Sequence, residues 1–223
     1  MKGAEIIPAP WNLSGTGIIL LYHFKADWLR QHRLVPTSMR DHCCGGLGAL
    51  MLVNYLNSDC GVKPYQEMLF IPGKFHWPAQ PASIKRHSIT DIVVSTEQSA
   101  ISGNANWAIP KRLAQFAWQQ HERNSHICVT EQQQPLVDIS LSHYPIPLPM
   151  HTALLPMPLA QPHASQLWLT DYVGRGFAYP AKVNHFHAHS TQLAPLNNLN
   201  CIAALYVSPF RLEFPTVKKV AIQ

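Results

Sequence analysis

Lys111 follows Pro110 directly, and Arg112 follows Lys111, in the stretch Asn106 to Phe116, NWAIPKRLAQF. An amine attacks a carbonyl carbon only in its neutral form. Pro110 suits the first turn of a helix, and Leu113, Phe116 and Ala117 recur beyond it at helical spacing. That pattern predicts a helix starting at Pro110 with Lys111 in its first turn. Three influences would then disfavour the ammonium: apolar neighbours in Trp107, Ala108 and Ile109, the permanent charge of Arg112, and the positive end of the helix. A lysine so placed is suited to Schiff-base formation with a ketone. The simpler reading is a helix start with two solvated cations, and the stretch alone allows both.

Two other clusters carry potential chemistry. In Asn184–Ser190, NHFHAHS, the residues His185, His187 and His189 would share one face of a strand, a spacing that suits zinc, nickel or iron. A cupin-like metal site would add a glutamate soon after its His-x-His, and the next glutamate is Glu213. The simpler reading is a row of neutral imidazoles on a solvated sheet face, so neither metal nor another cofactor is expected. Asp41–Gly46, DHCCGG, offers soft ligands, but adjacent cysteines cannot close on one tetrahedral ion without strain. An odd number of cysteines, with Cys43 next to Cys44 and no CxxC pair, predicts buried reduced thiols in a cytosolic protein.

Charged residues make up 13% of the 223-residue chain and hydrophobic ones 47%, which predicts a packed chain and excludes a disordered one. No internal repeat or linker-like segment divides it, so residues 1–223 are read as one domain. The net charge is +5, but the basic residues are scattered pairs such as Lys85-Arg86 and Lys218-Lys219. Without a basic stripe interleaved with aromatics, nucleic acid is not an expected partner. The opening MKGAEIIPAPW lacks the apolar core and cleavage site of a signal peptide, and Ile18–Tyr22 is too short to span a bilayer. The expectation is a soluble, cytoplasmic protein that does not enter a membrane.

The elements that must position these residues are mostly strands. Nineteen prolines spread through the chain argue against long helices. Strands are predicted at 18–23, 45–55, 67–71 and 89–95, with a short helix at 26–32 and a loop at 96–106. The alternation of Ile127 and Val129, and of Val137, Ile139 and Leu141, around EQQQP predicts a hairpin. The proline-rich run after Tyr144 predicts an extended, edge-like stretch. Further strands are predicted at 166–172, 182–190, 201–207 and 210–214. So many short strands favour a barrel or sandwich.

Several stretches, in order, resemble the acetoacetate decarboxylase superfamily. PAPWNLSGTG (8–17) is similar to its Trp-containing approach to the first strand. KPYQEMLFIPGKF (63–75) resembles its Tyr-x-Glu strand. SGNANWAIPKRLAQF (102–116) resembles the segment that carries its Schiff-base lysine, Gly-Arg-x-x-Trp-Gly-x-Pro-Lys, and FRLEFP (210–215) is similar to its end. The resemblance covers the chain to about residue 118 and is looser beyond.

The resemblance implies a mainly β (α+β) fold: an antiparallel β-barrel or cone with a few short helices, an interior pocket, and assembly into a homo-oligomer. It makes Lys111 the Schiff-base lysine and Glu67 the active-site glutamate. Arg112 stands in the place of a second lysine that tunes the first. Tyr65, Trp107 and Asn104 become substrate-facing residues. The implied function is a Schiff-base-forming lyase for a small β-keto acid or related carbonyl compound, by decarboxylation or related aldol or dehydration chemistry, with no cofactor. The departures bear on the substrate. The superfamily's Gly-Arg is Gly103-Asn104 here, the acidic residue after that arginine is Ala105, and the arginine at the start of the first strand falls near Gly15. Arg40, Arg86 and His87 are candidate replacements. Other readings stand beside this one: Glu67 as a partner of a surface cation, Tyr65 and Trp107 as packing residues, the barrel as a non-catalytic carrier of a small apolar ligand, and the metal site on His185, His187 and His189.

Overall fold

β1 (Trp11–Phe24) and β2 (Cys43–Ser58) run antiparallel through the middle of the protein, and both are apolar on their two faces. The structure, a computed structural model, describes residues 5–79 and 82–222, so the first four residues of the N-terminal stretch discussed above lie outside it. The chain continues through α1 (Ala26–Gln31), β3 (Tyr65–Ile71), β4 (Lys74–Trp77), β5 (Ile84–His87), β6 (Asp91–Val94), α2 (Glu97–Trp107) and β7 (Arg112–Leu113). Then follow β8 (Gln115–His121), β9 (Asn124–Glu131), β10 (Gln134–His143), β11 (Leu148–His151), β12 (Leu159–His163), β13 (Gln166–Thr170), β14 (Val173–Ala188), β15 (Ala203–Phe214) and β16 (Lys218–Ala221). Among the described residues, no helix is long and apolar enough to cross a membrane.

All sixteen strands join one mixed sheet, antiparallel except where β12 meets β5 and β7 meets β6. The main path runs β16-β13-β12-β5-β4-β2-β1-β15-β14-β10-β9-β8. It branches at β2, which pairs with β3 over Ala49–Tyr55 and with β4 over Cys43–Gly45. The path ends at β16 and β8, so among the described residues the expected barrel is an open sheet that does not close.

Alternation on the central strands feeds two cores. Ile18, Leu20, Tyr22, Leu50, Leu52, Met68 and Phe70 point into the first. Trp11, Leu13, Leu21, Ala49, Tyr55, Tyr65, Leu69 and Ile71 point into the second. Each fully buried aliphatic side chain here contributes about 1.5–3 kcal/mol. Glu67 lies two residues from Tyr65 and from Leu69, so the same alternation places a carboxylate on the second core's face. It is 4% exposed.

Helix and loop are exchanged around Pro110 relative to expectation. Residues 97–107 form α2, capped by Thr96, whose side chain accepts from the Ser99 N–H at 3.3 Å. The face that α2 buries consists mainly of small residues, Ser99, Ala100, Ser102 and Gly103, and so lacks the apolar stripe that announces a helix. Ala108 adopts the left-handed conformation (φ 54°) that ends α2, and the chain beyond Pro110 is extended. Phe116 and Trp118 of β8 pack against the first core with the two-residue period of a strand. Predicted strands 201–207 and 210–214 merge into one strand, β15, which starts at Ala203, and the strand predicted at 182–190 overlaps the longer β14, which ends at Ala188. The predicted 127–141 hairpin is present as β9–β10. All five cysteines are free thiols; Cys43 is buried, Cys44 is exposed and the rest are half-buried, which corrects the expectation of buried thiols.

Candidate active site

Lys111 stands between the end of α2 and β7, and not in the first turn of a helix. Its carbonyl accepts from Asn104 Nδ2 at 3.3 Å, and the same amide donates to the Ala100 carbonyl at 3.0 Å. The parallel pairing of β7 with β6 fixes the next residues. Consecutive residues of an extended chain point to opposite sides. The Lys111 side chain therefore turns into the second core, and the Arg112 side chain turns outward.

The Lys111 amine lies 2.7 Å from Glu67 Oε2, and both side chains are 5% exposed. The contact is a close ion pair, and Oε2 has no other donor among the described residues. Lys111 Nζ also donates to Ser99 Oγ at 3.3 Å, and the Tyr55 hydroxyl donates to Glu67 Oε1 at 3.3 Å. Nζ sits 5.3 Å from the centre of the Tyr65 ring and 5.9 Å from that of Trp11, within cation–π range. Burial above all, with the Glu67 charge adding to it, pushes the Tyr55 and Tyr65 phenols well above their ordinary range. Both remain protonated at neutral pH and can donate hydrogen bonds.

These groups line a cavity of about 160 Å³ whose walls are mainly apolar, among them Trp11, Leu69, Ile92, Trp107 and Met157. Trp107 is fixed by donating its indole N–H to the Pro215 carbonyl at 2.7 Å and by edge-to-face contact with Trp11, centroids 4.9 Å apart. Tyr172, whose phenol is pushed up to about 12 by burial, completes one wall.

Of the residues singled out in the sequence, Lys111, Glu67, Tyr65 and Trp107 line the cavity together. Arg112 and Asn104 do not. The Arg112 guanidinium contacts Asp91 at 2.7 Å and Glu131 at 2.8 Å. Burial works against its charge, but hydrogen bonds and attraction from Glu131 and Asp91 outweigh this and hold its pKa above the ordinary range. The expected cation beside the lysine amine is thus aimed at two carboxylates on the other side of β7. Asn104 is exposed on α2 and holds the Lys111 backbone.

The candidate replacements for the superfamily arginine lie elsewhere. Arg40 donates to the Val35 carbonyl, Arg86 pairs with Asp171 at 2.5 Å, and His87 is buried in β5 away from the cavity. Arg175 of β14 and Arg211 of β15 line the cavity, but both are exposed and also line an adjoining groove with Asn12, Asp59 and Glu213. His185 and His187 lie on β14 and His189 just past its end. Among the described residues, the three do not bring their ligand atoms within 4.8 Å of one another.

Sequence reasoning missed Tyr55 and Ser99, and named Gly103 only as the glycine of the superfamily's Gly-Arg pair. Ser99 was legible as the partner of a Thr96 cap. Tyr55 is set by the β2–β3 register, which pairs it with Tyr65, and nothing local marks that register.

No family model and no curated protein matches the chain. Solved structures do. The chain is similar to acetoacetate decarboxylase from Legionella pneumophila, with 16% identity and a TM-score of 0.70 over 96% of this chain and 88% of that one. An acetoacetate decarboxylase-like enzyme from Sphingomonas wittichii RW1 is similar at 10% identity and a TM-score of 0.67, over 96% and 94% of the two chains. The enduracididine biosynthesis enzyme MppR, complexed with pyruvate, is similar at 14% identity and a TM-score of 0.60, over 98% and 93%. At these identities the likeness is one of architecture: the chain has the acetoacetate decarboxylase-like fold.

Proposed function

We propose that this protein is a Schiff-base enzyme acting on a small carbonyl compound, with Lys111 as the nucleophile and Glu67 as the group that moves protons. The observation that carries this reading is the buried 2.7 Å contact between Lys111 Nζ and Glu67 Oε2 inside an apolar cavity. A structural ion pair needs no cavity beside it, and a buried lysine on a cavity wall is a recurrent site of amine chemistry.

Glu67 Oε2 takes a proton from the Lys111 ammonium across the contact, leaving a neutral amine. The amine attacks the substrate carbonyl to give a carbinolamine. The Glu67 carboxyl returns its proton to the departing hydroxyl, water leaves and an iminium forms. That cation withdraws the electron pair of the adjacent bond. In a β-keto acid this bond joins the carboxylate, so carbon dioxide departs and an enamine remains. The enamine takes a proton on carbon, and water then hydrolyses the iminium to release product and amine. Tyr55 holds Oε1 so that Oε2 stays toward the amine. The similarity to MppR complexed with pyruvate supports a small carbonyl ligand. A cavity of about 160 Å³ is also small beside the ~300–1,000 Å³ typical of ligand pockets.

The test is borohydride reduction in the presence of a panel of short keto acids and ketones, followed by mass mapping. A reduced adduct on Lys111, absent in Lys111→Met, is the expected result. No adduct with any of them, with Lys111 unreactive, would leave a non-catalytic ligand-binding protein.

A further inference from the structure

We propose that the outer face of the β9–β10–β14 ribbon carries a zinc site built from His126, Cys128, Asp138 and His185. Among the described residues, His126, Cys128 and Asp138 place one ligand atom each within 4.8 Å of one another. His126 Nε2 is 3.1 Å from Asp138 Oδ1, Cys128 Sγ is 3.1 Å from Asp138 Oδ2, and Cys128 Sγ is 3.6 Å from His126 Nε2. His185 Nε2 approaches the same carboxylate, 3.8 Å from Oδ1. A tetrahedral zinc ion with nitrogen and oxygen ligands at about 2.0–2.2 Å and sulfur at about 2.3 Å separates neighbouring ligands by about 3.3–3.6 Å. His126, Cys128 and Asp138 thus stand within about half an ångström of the spacing that zinc imposes, and the exposed His185, which lies outside that 4.8 Å group, has to turn toward the ion to supply the fourth ligand. Their types, two imidazoles, a thiol and a carboxylate, are its usual ligands.

The backbone explains why they meet. On β9, His126 and Cys128 alternate with Ile127 and Val129, and on β10 Asp138 stands between Val137 and Ile139; all four apolar residues are buried in the first core. Cys128 pairs in register with Asp138, and Ser140 pairs with both His126 and His185. The cluster therefore rests on three hydrogen-bonded strands anchored from behind, and such backing pre-organises a metal site. His126 and His185 are exposed, so an ion reaches them from solvent. The site lies on the first-core part of the sheet, apart from the Lys111 cavity, and owes nothing to the chemistry proposed there. Of the three histidines of NHFHAHS it uses one. The ring of His187 packs edge-on against His189, centroids 4.4 Å apart. On binding, Zn²⁺ gains a sulfur–metal bond and the thiol proton of Cys128, now donated to Asp138, leaves to the buffer.

The experiment uses the full chain, stripped by a chelator, with Zn²⁺ titrated against a chromophoric competitor and Co²⁺ as a spectroscopic probe. One equivalent of metal and a thiolate-to-cobalt charge-transfer band are expected. Cys128→Ser should abolish the band, and Cys128→Ser, Asp138→Asn and His126→Ala should each weaken zinc binding at least about tenfold. His187→Ala should bind as wild type. All four positions lie on a sheet surface, and thermal unfolding of the apo variants checks that each is folded. Zinc should raise the unfolding temperature of the wild type but not of Cys128→Ser. Zinc binding that survives Cys128→Ser and Asp138→Asn unchanged, cobalt binding without the thiolate band, or affinity lost in His187→Ala but kept in His126→Ala overturns the proposal.

Discussion

Gly103 leaves the space that the Lys111 side chain occupies: a Cβ at Gly103 would lie 2.6 Å from Lys111 Cδ and 2.8 Å from Cε. Glycine within a helix costs about 1 kcal/mol relative to alanine. Here it lets α2 lie directly against the aliphatic stem that carries the amine to Glu67. Gly103→Ala is therefore expected to disturb the site more than the fold. The helix gains about 1 kcal/mol and the overpacking costs about 1–3 kcal/mol, so the unfolding temperature should move by only a few degrees. The Lys111 amine must shift, and borohydride trapping should slow at least tenfold. Trapping at the wild-type rate would show that the close approach is incidental.

The buried ion pair makes a second expectation. Removing one member of such a pair leaves a buried charge without its partner and costs about 3–5 kcal/mol, whereas replacing both with uncharged groups of similar size is far milder. Lys111→Met and Glu67→Gln should each destabilise the protein in urea unfolding, and the double variant should recover most of the loss. Glu67→Gln should also lower the rate of iminium trapping by about 10²–10⁴, the usual contribution of a positioned proton-transfer group. Additive stability losses across the cycle would mean that the two side chains do not act as a pair.

Arg112 separates stability from chemistry. Its guanidinium ties Asp91, which is 7% exposed, to Glu131, and it points away from the cavity. Arg112→Ala leaves the Asp91 carboxylate without its partner and should cost about 1–3 kcal/mol, while the trapping rate at Lys111 stays near that of the wild type. A trapping rate that collapses in a folded Arg112→Ala protein would return Arg112 to the role expected from the sequence.

The site was legible where its logic is local and illegible where it depends on pairing. Glu67 stands at a two-residue spacing from Tyr65 on an apolar strand, and Lys111 sits after a Trp-x-x-Pro run; both patterns survive in one dimension. The structure of the 96–121 region did not. Leu113, Phe116 and Ala117 fit a helix by spacing, yet Pro110 follows a helix end instead of starting one, and β8 shows its period only through Phe116 and Trp118. The helix actually present buries small residues, which carry no amphipathic signature. Arg112 is the sequence neighbour of Lys111 and was expected beside its amine, whereas the extended chain turns its side chain the other way, toward Asp91 and Glu131. The His126–Cys128–Asp138–His185 cluster was invisible for a related reason: its members come from three strands, and the register between strands is written in no single segment. The histidine row of NHFHAHS drew attention to the right strand and to one of the four residues.

The last prediction concerns His87, a buried residue of β5 opposite Lys74 of β4. Burial, and after it the Lys74 charge, lowers the His87 pKa from 6.5 to about 4. The unfolded chain takes up this proton as the pH falls through about 6.5, and the folded protein takes it up only near pH 4. Between these values the unfolded state binds more protons, so stability from this residue is complete above about pH 6.5 and falls as the pH drops toward 4. The loss levels off at about 3.5 kcal/mol, because each unit of pKa difference is worth about 1.4 kcal/mol. In His87→Gln the position cannot titrate. Urea unfolding at pH 7.5 and at pH 4.5 should show the wild type losing about 2–3 kcal/mol more than the variant over that interval, the carboxylates common to both proteins cancelling in the comparison. Equal losses in the two proteins would mean that His87 is charged in the folded state or is solvated well enough to titrate as it does in the unfolded chain.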